Sequence, residues 1–595
     1  MTYKAPVDDI MHTLNAVVGL PELIDRGVYE GLDIETVRAV LEEAGRFASE
    51  VLEPLNRHGD RVGSQFTDGS VSTPEGWQDA YKRFCDGGWN ALPGPEAYGG
   101  QGLPEVVSVA VTELWNAANM AFSLCPLLTQ GTIASLLSHG SDELKNRYLP
   151  KIVSGEWTGT MNLTEPHAGS DLGHLKTRAE RQADGTYKIF GTKIYITYGD
   201  HDLADNIVHM VLARCNDAPA GTRGISLFLV PKHIVNADGS IGTRNDIFTA
   251  GIEHKLGIHA SPTCTLKYGE NGGATGYLVG EENRGLNIMF LMMNAARLAV
   301  GMQGVAVADR ATQHAVAYAH ERPQGRGPDD ASDAMSPIIV HADIRRTIMT
   351  MKSLTQASRA ICLVTAREID LMHRGETAEV REKAAAMSAL LTPVAKAFST
   401  DIAVEVASMG IQIHGGMGFV EETGAAQFYR DARILPIYEG TNGIQAIDLV
   451  TRKLPLGNGE LVNNYIKELQ AIADDVQTSN QPEFGLMGQR LDEAVSAFSE
   501  ASTYMIAQLE SNPQAALAGA AQYLRLFGLT AGGAYLAQSA LAAVREMPAA
   551  TGTTAEVATA RFFAEQLITA ASAHAQAIVT GGDALSAVTP ELLSV

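Results

Sequence analysis

The sequence predicts an α+β multidomain protein, because its hydrophobic pattern changes three times along 595 residues. Apolar residues recur at helical spacing up to about residue 153, and short β-branched or aromatic-rich runs between turn residues follow from about residue 157. Helical spacing returns at about residue 283, and a proline- and glycine-containing break, KLPLGNGE, precedes about 140 residues of alanine-rich helix. The predicted domains are an N-terminal helical domain (1–156), a middle β-barrel or sandwich domain (157–282), a C-terminal four-helix bundle (283–455) and an additional helical extension (456–595).

Charge and hydropathy argue against several classes of protein. The formal net charge is −23, and binding to phosphates needs a local surplus of Lys and Arg, so a nucleic-acid partner is disfavoured. No window approaches the roughly 18–20 uninterrupted apolar residues of a membrane helix, so we expect no membrane span. Asp8 and Asp9 lie where an export or transit signal would carry positive charge, which predicts a cytoplasmic protein.

The cysteines and histidines do not predict a metal site or a disulfide framework. The five cysteines are far apart and include no CxxC pair, so we expect reduced thiols. His254 and His259 have no third ligand nearby at metal-binding spacing, so we expect no metal.

The first candidate site is MNLTEPHAGSDLGHLKTRAE, residues 161–180, where a predicted strand runs into a turn. Thr164, Gly169 and Ser170 would present backbone amides and hydroxyls there, and clustered donors suit a flavin edge or a phosphate. The alternative is an ordinary polar β-turn.

A second candidate is Arg297 in ARLAVGMQG, an arginine on an otherwise apolar helix. Such a guanidinium needs an anion or another acceptor, which makes a bound ligand one explanation. The alternative is an arginine that reaches solvent or forms a salt bridge.

The third candidate is Glu439 in RILPIYEGTNGIQAIDL, residues 433–449, where a carboxylate follows a run that reads as buried. Asn442 and Gln445 resemble a capping box, which predicts a helix start and places Glu439 on the loop before it. Glu439 could simply complement the helix dipole. The apolar run instead favours desolvation, which would raise its basicity toward that of a general base.

Five motifs, in order, resemble the acyl-CoA dehydrogenase family: TEPHAGSD, GTKIYIT, ERPQGR, IQIHGGMGF and RDARILPIYEGTNGIQ. The resemblance covers about residues 36–453. It implies FAD bound between the β-domain and the bundle and touching a neighbouring subunit. It also implies that Glu439 removes the α-proton of an acyl-CoA thioester while the β-hydrogen leaves as hydride to the flavin.

The same resemblance implies roles for the other site residues. Near the flavin ring and the pyrophosphate it places Met161, Leu163, Thr164, Ser170, Tyr195 and Thr197. It assigns Arg322, Gln412 and Gly416 to FAD across a dimer, and Thr441 to the cofactor site beside the base. The implied substrate-binding residues are Ser170, Asn294, Arg297 and Tyr438.

Some positions depart from the family pattern. Asn294 replaces an Asp common in short- and medium-chain members, and Gly443 replaces a Gln that touches FAD. Ala296 occupies the position at which isovaleryl- and long-chain-type enzymes carry their base, so Glu439 is the candidate base. The C-terminal extension resembles that of long members, where it fills the space of a second dimer, which predicts a homodimer.

EHKLGIHASPTCTL together with YEGTNGIQAIDL is most similar to a long bacterial group that acts in sulfoniopropionate (DMSP) degradation. The implied reaction is oxidation of 3-methylmercaptopropionyl-CoA to methylthioacryloyl-CoA, with electron-transfer flavoprotein as acceptor. The alternative is a broad straight-chain acyl-CoA dehydrogenase of fatty acid oxidation. An acyl-CoA oxidase and a DNA-associated flavoprotein are further readings, and the acidic extension opposes the latter.

Overall fold

The computed structural model describes residues 3–328, 334–546 and 554–594. The chain divides into two compact units. Unit 1 consists of Met1–Gly45, Glu105–Ala117 and Val300–Val595, and unit 2 consists of Arg46–Pro104 and Ala118–Ala299. This division differs from the four predicted segments, so their boundaries stay a prediction.

Unit 2 contains an eight-stranded sheet with the path β10-β11-β5-β12-β7-β6-β3, and β4 pairs with β5 and β6. Pairing is antiparallel except for β3 with β6 and β4 with β6. Two-stranded ribbons β1-β2 and β8-β9 complete the β-structure of unit 2, which also contains the helices α4 (Glu53–Val62), α5 (Trp77–Asp86) and α7 (Asp142–Ser154). The strands are β1 (Gln65–Thr67), β2 (Ser70–Ser72), β3 (Trp157–Asn162), β4 (Arg178–Arg181), β5 (Tyr187–Thr197), β6 (Asn206–Cys215), β7 (Ser226–Pro231), β8 (His233–Val235), β9 (Ile241–Arg244), β10 (Ile247–Ile252), β11 (Thr263–Tyr268) and β12 (Ala274–Val279).

Strand β6 shows why part of this sequence reads as a continuous apolar run. Its alternate residues Val208, Met210 and Leu212 lie in one hydrophobic core of unit 2. Val211 and Ala213, on the opposite face, lie in the other core. A strand covered on both faces needs no polar alternation, so NIVHMVLARC is apolar along most of its length.

The helices of the described residues confirm the predicted class. Among the described residues, the bundle segment has three long helices, α8, α9 and α10, and two short ones, α11 and α12, rather than the four long segments that the sequence predicts; α12 continues as a π-helix over Leu449–Lys453. The helices are α1 (Val7–Thr13), α2 (Leu20–Asp25), α3 (Ile34–Phe47), α4 (Glu53–Val62), α5 (Trp77–Asp86), α6 (Glu105–His139), α7 (Asp142–Ser154), α8 (Gly285–Glu321), α9 (Ala342–Arg374), α10 (Ala378–His414), α11 (Ala425–Ala432), α12 (Asn442–Asp448), α13 (Glu460–Thr478), α14 (Met487–Ser511), α15 (Pro513–Glu546), α16 (Ala555–Phe562) and α17 (Ala570–Ser586).

Within unit 1, the extension helix α15 packs closely against α9 and α10. A Cβ added at Gly528 would lie 2.2 Å from a ring carbon of Phe398, and one at Gly532 would lie 2.8 Å from the Cβ of Ala357. The small residues of this helix therefore let the helix backbones approach, as their frequency in the sequence predicts.

Within the part of the chain that the structure describes, three helices, α6, α8 and α15, are long and apolar enough to cross a membrane by length and composition alone. Their most apolar windows are 78%, 67% and 72% buried inside the protein. The sequence-based expectation concerned uninterrupted apolar runs, whereas mean hydropathy tolerates isolated polar residues, so these helices do not contradict it. The absence of a membrane span stays a prediction.

Candidate active site

The candidate base lies on a tight loop of unit 1 between α11 and α12. Glu439 is half-buried and has a φ of 56°, in the left-handed region that non-glycine residues rarely adopt. The prediction that it precedes a helix is confirmed. Burial of the whole preceding run is not, because the side chain of Ile437 is 49% exposed.

The predicted capping box is wrong in its residues. Thr441 is the N-cap of α12, and its side chain accepts a hydrogen bond from the N–H of Ile444 at 3.3 Å. Gln445 instead donates from Nε2 to the carbonyl of Glu439 at 3.3 Å. Threonine and asparagine are both good N-cap residues. The sequence TNG alone therefore does not show which of the two caps α12.

Two further contacts hold this loop. Lys396 on α10 donates to the carbonyl of Gly440 at 2.9 Å and to Oδ1 of Asn442 at 2.8 Å. On the other side of Glu439, the hydroxyl of Tyr438 donates to Oε1 of Gln303. Burial, followed by the neighbouring Glu439 carboxylate, raises the pKa of Tyr438 well above its usual value, so the phenol stays protonated.

Unit 2 carries the second group of candidates on the loop that follows β3. Glu165 is buried there and accepts hydrogen bonds from Lys193 Nζ at 2.8 Å and from the N–H groups of Lys176 and Thr177 at 2.7 and 3.0 Å. Lys193 also donates to the carbonyl of Leu163 at 2.9 Å. This pair therefore ties the two ends of the loop to β5.

Electrostatics keep both members of this pair charged near neutral pH. Burial lowers the pKa of Lys193 to about 8. Burial alone would raise the pKa of Glu165, but Lys193 and the hydrogen bonds from residues 176 and 177 outweigh it and hold that pKa below its usual value.

The predicted flavin contacts differ in exposure. Met161 lies in a hydrophobic core of unit 2, while Leu163 and Thr164 are half-buried and Ser170 is exposed. Tyr195 has a φ of 59° and its side chain is 61% exposed, although it lies within β5. Thr197, the last residue of β5, is half-buried.

The predicted substrate arginine is fixed within its own helix. Arg297 is only 7% exposed, and its Nη1 donates to Oδ1 of Asn294 at 3.0 Å. Asn294 therefore supplies an acceptor for this arginine, which bears out the reasoning that an arginine on an apolar face needs one.

In unit 1, the residues assigned to the cofactor across a dimer are at the surface. Arg322, Gln412 and Gly416 are exposed, and a Cβ at Gly416 would meet nothing within 4 Å. Thr441 is half-buried as the N-cap of α12.

No cluster of three or more His, Cys, Asp or Glu side chains in the described ranges could hold a metal ion. The ring nitrogens of His259 approach Asp60 Oδ1 at 2.9 Å and the carbonyl of Lys255 at 2.9 Å.

Sequence reasoning missed Lys193, Glu165, Lys396 and Gln303. Lys193 could have been found, because it shares the alternation of the buried Tyr187 and Ile189 along β5 and so belongs to the inward face. Lys396 lies in the small and apolar run TPVAKAFST, where a buried lysine and one that extends to solvent look alike.

Family models match almost all of the chain. They are the acyl-CoA dehydrogenase N-terminal domain (residues 35–156), middle domain (160–270) and C-terminal domain (283–454), and an acetyl-CoA dehydrogenase C-terminal-like domain (465–589).

Individual proteins match over similar lengths. The 3-methylmercaptopropionyl-CoA dehydrogenase of Ruegeria pomeroyi is 47% identical over 98% of this chain and 99% of that protein. A butyryl-CoA dehydrogenase of Syntrophomonas wolfei is 34% identical over 95% of each. Among solved structures, an acyl-CoA dehydrogenase from Bacillus anthracis complexed with FAD has a TM-score of 0.74 at 23% identity and covers 95% of this chain and 90% of that one.

These matches define an FAD-dependent oxidoreductase. The chain belongs to the acyl-CoA dehydrogenase family.

Proposed function

We propose that this chain oxidises 3-methylmercaptopropionyl-CoA to methylthioacryloyl-CoA, with Glu439 as the base. The relative from Ruegeria pomeroyi supports the substrate, since the identity of 47% extends over nearly the whole of both chains. The butyryl-CoA dehydrogenase relative supports the second candidate, a broad straight-chain acyl-CoA dehydrogenase.

The observation that carries the role of Glu439 is the geometry of its loop. A non-glycine residue with a φ of 56° stores backbone strain, which persists where the surroundings hold it and is found often at functional sites. Lys396 binds the carbonyl of Gly440, which follows Glu439, and the hydroxyl of Tyr438, which precedes it, binds Gln303. We therefore propose that this loop holds the carboxylate of Glu439 in a fixed position.

In the proposed reaction, Glu439 takes the α-proton of the thioester while the β-hydrogen leaves as hydride and the α,β double bond forms. Bound FAD supplies the acceptor for that hydride. The chain's own contribution is to keep the carboxylate oriented, because a general base must lie within hydrogen-bonding reach of the proton that it removes. Tyr438, kept neutral by burial, adds no charge beside it.

The residues of unit 2 fit a flavin. The exposed ring of Tyr195 offers a flat apolar surface, and aromatic faces stack well on planar ligands. Gly169 has open space around it, so no side chain blocks the turn in which the exposed hydroxyl of Ser170 lies. We propose Met161, Leu163, Thr164, Ser170, Tyr195 and Thr197 as flavin contacts from this unit.

From unit 1 we propose Arg322, Gln412, Gly416 and Thr441 as cofactor residues, and Tyr438 as a substrate contact. Arg297 and Asn294 are proposed to contact the acyl-CoA. We further propose a cytoplasmic homodimer that passes electrons to an electron-transfer flavoprotein. The exposed side chains of Met417 and Phe419, 47% and 88% exposed, lie beside Gly416 and support an interface there.

The substrate is tested by titrating the FAD-loaded protein anaerobically with 3-methylmercaptopropionyl-CoA, butyryl-CoA and octanoyl-CoA, and following the flavin absorbance. Fastest bleaching with the thioether substrate is expected. Faster bleaching with octanoyl-CoA would favour the straight-chain alternative, and no bleaching with any of the three would reject both. Rapid peroxide formation in air would identify an oxidase.

A further inference from the structure

Lys396 is a fully buried lysine, with 0% of the residue exposed, in the middle of α10. Removing an ammonium group from water is costly unless hydrogen bonds replace the lost hydration. Two of its hydrogen bonds go to the loop that carries Glu439: the carbonyl of Gly440 at 2.9 Å and Oδ1 of Asn442 at 2.8 Å. The cost of burying this cation is therefore offset, in part, by one backbone carbonyl and one side-chain amide oxygen next to the proposed base.

Asn442 also connects the loop to α10 through Nδ2, the nitrogen of its side-chain amide. Its Nδ2 lies 3.1 Å from the carbonyl of Ala397, 2.9 Å from Oγ1 of Thr400 and 2.7 Å from Oδ1 of Asp401. The side chain thus accepts from Lys396 on one atom and donates to α10 on the other. Loop and helix are joined by partly buried, directional hydrogen bonds, which fix position more sharply than apolar contacts do.

The C-terminal extension packs against this same part of α10. Gly528 of α15 lies against the ring of Phe398, two residues after Lys396. Arg525 of α15 pairs with Glu405 through both carboxylate oxygens at 2.8 and 2.9 Å, and its guanidinium lies 5.3 Å from the centre of the Phe398 ring. Phe398 and Glu405 are seven residues apart on one helix face, so α15 binds that face along two turns.

We propose that Lys396 is a positioning residue that, with Asn442, fixes the loop of Glu439, and that α15 holds α10 in place behind this pair. The proposal rests on the function proposed above, because it concerns the position of the proposed base. It gives the extension a role in the chemistry of this site.

The direct test is Lys396→Met, which keeps the length of the side chain and removes its hydrogen bonds. The matched control is Lys383→Met, since Lys383 is on the same helix but its side chain is 67% exposed and pairs with Glu468. Both variants are loaded with FAD and reduced anaerobically by butyryl-CoA and by 3-methylmercaptopropionyl-CoA.

A misplaced base slows proton removal without weakening binding. We expect the limiting rate of flavin reduction to fall roughly 10- to 100-fold in Lys396→Met, with the half-saturating substrate concentration within about threefold of the control value and FAD retained. The kinetic isotope effect with α-deuterated substrate should rise. A purely structural role would not raise it, and a reduction rate within twofold of Lys383→Met would overturn the proposal.

If Lys396→Met does not yield folded holoenzyme, Asn442→Ser is judged by the same criterion, because it shortens the bridging side chain and keeps a hydroxyl. The role of α15 is tested by Arg525→Gln against Arg561→Gln, whose native pair with Glu565 lies within the extension. A slower limiting rate in Arg525→Gln alone is expected, and equal rates in the two variants would reject the part played by α15.

Glu439→Gln is measured in parallel. If it reduces flavin as fast as the native protein, the proposed function itself is wrong. If it is inactive while Lys396→Met and Asn442→Ser behave as the control, only the positioning role fails.

Discussion

Two buried lysines, one in each compact unit, hold the two candidate loops in similar ways. Lys193 donates to the carbonyl of Leu163 on the loop after β3, and Lys396 donates to the carbonyl of Gly440 on the loop before α12. The second acceptor differs, because Lys193 binds the carboxylate of Glu165 whereas Lys396 binds the neutral amide of Asn442.

This difference agrees with the roles proposed for the two loops. A carboxylate beside Lys193 strengthens the bond that closes the loop, and the candidate flavin contacts next to it are uncharged. At Lys396 a second carboxylate would lie three residues from Glu439, where like charges oppose each other's ionisation. An amide gives the same bonding geometry without adding that charge.

The largest expected effect comes from breaking the charged pair. Lys193→Met leaves Glu165 buried without its cation, which should cost about 3–5 kcal/mol of unfolding free energy and release FAD. Denaturant unfolding and the flavin-to-protein absorbance ratio measure both effects. The double variant Lys193→Met/Glu165→Gln should recover part of the loss, and a double variant no more stable than the single one would show that charge is not the cause.

The pair formed by Lys396 and the neutral Asn442 is tested by replacing the amide with a carboxylate. Asn442→Asp keeps an acceptor for Lys396 but loses the donated bonds, and it puts a carboxylate next to Asp401, whose pKa burial already raises. We expect a loss of about 2 kcal/mol in unfolding free energy together with slower flavin reduction. Asn442→Asp with unchanged stability and rate would contradict the requirement for a neutral partner.

His259 is a third basic group in a hydrogen-bonded pair, and unlike the two lysines it is only partly buried. The hydrogen bond to Asp60 raises the pKa of His259 to about 9. This pKa lies above the ordinary value of about 6.5. The pair therefore stabilises the folded state fully below a pH of about 6.5, and this stabilisation is lost as the pH rises through about 9.

The corresponding variant is His259→Gln. With the side chain 32% exposed, solvent screening reduces the expected contribution to about 1 kcal/mol. Unfolding free energies at pH 6 and pH 9.5 should differ by that much more in the native protein than in His259→Gln. If the difference in unfolding free energy between the two pH values is equal in both proteins, the His259–Asp60 pair does not titrate between them.

The smallest effect is expected for an exposed lysine on the same helix as Lys396. Lys383→Met removes a surface pair with Glu468, and such pairs contribute less than about 1 kcal/mol. Its unfolding free energy and reduction rate should match those of the native protein. A large loss in this variant would remove burial as the explanation for the effects at Lys193 and Lys396.

Much of the fold could be predicted because the sequence repeats its pattern over long stretches. The run YKIFGTKIYIT corresponds to β5 (Tyr187–Thr197), and NIVHMVLARC corresponds to β6 (Asn206–Cys215). The hairpin β1-β2 was missed, since its three-residue strands are too short to establish an alternation in a region dominated by helix.

The candidate site could be proposed from the sequence where a motif carries the residue types, but the contacts that its surroundings supply could not. Glu439 could be selected from its position in YEGTNG, but its positive φ arises from the loop as a whole. The hydrogen bonds of Lys396 and Gln303 to this loop join residues that are far apart in sequence. The local sequence pattern therefore cannot predict them.

The most direct test of the account is a single-turnover measurement of anaerobic flavin reduction by FAD-loaded Glu439→Gln. This substitution keeps the size of the side chain and removes its basicity. We predict a rate lower by about 10²- to 10⁴-fold, with substrate still bound and the protein still folded. A variant that reduces flavin as fast as the native protein would contradict the assignment of Glu439 as the base.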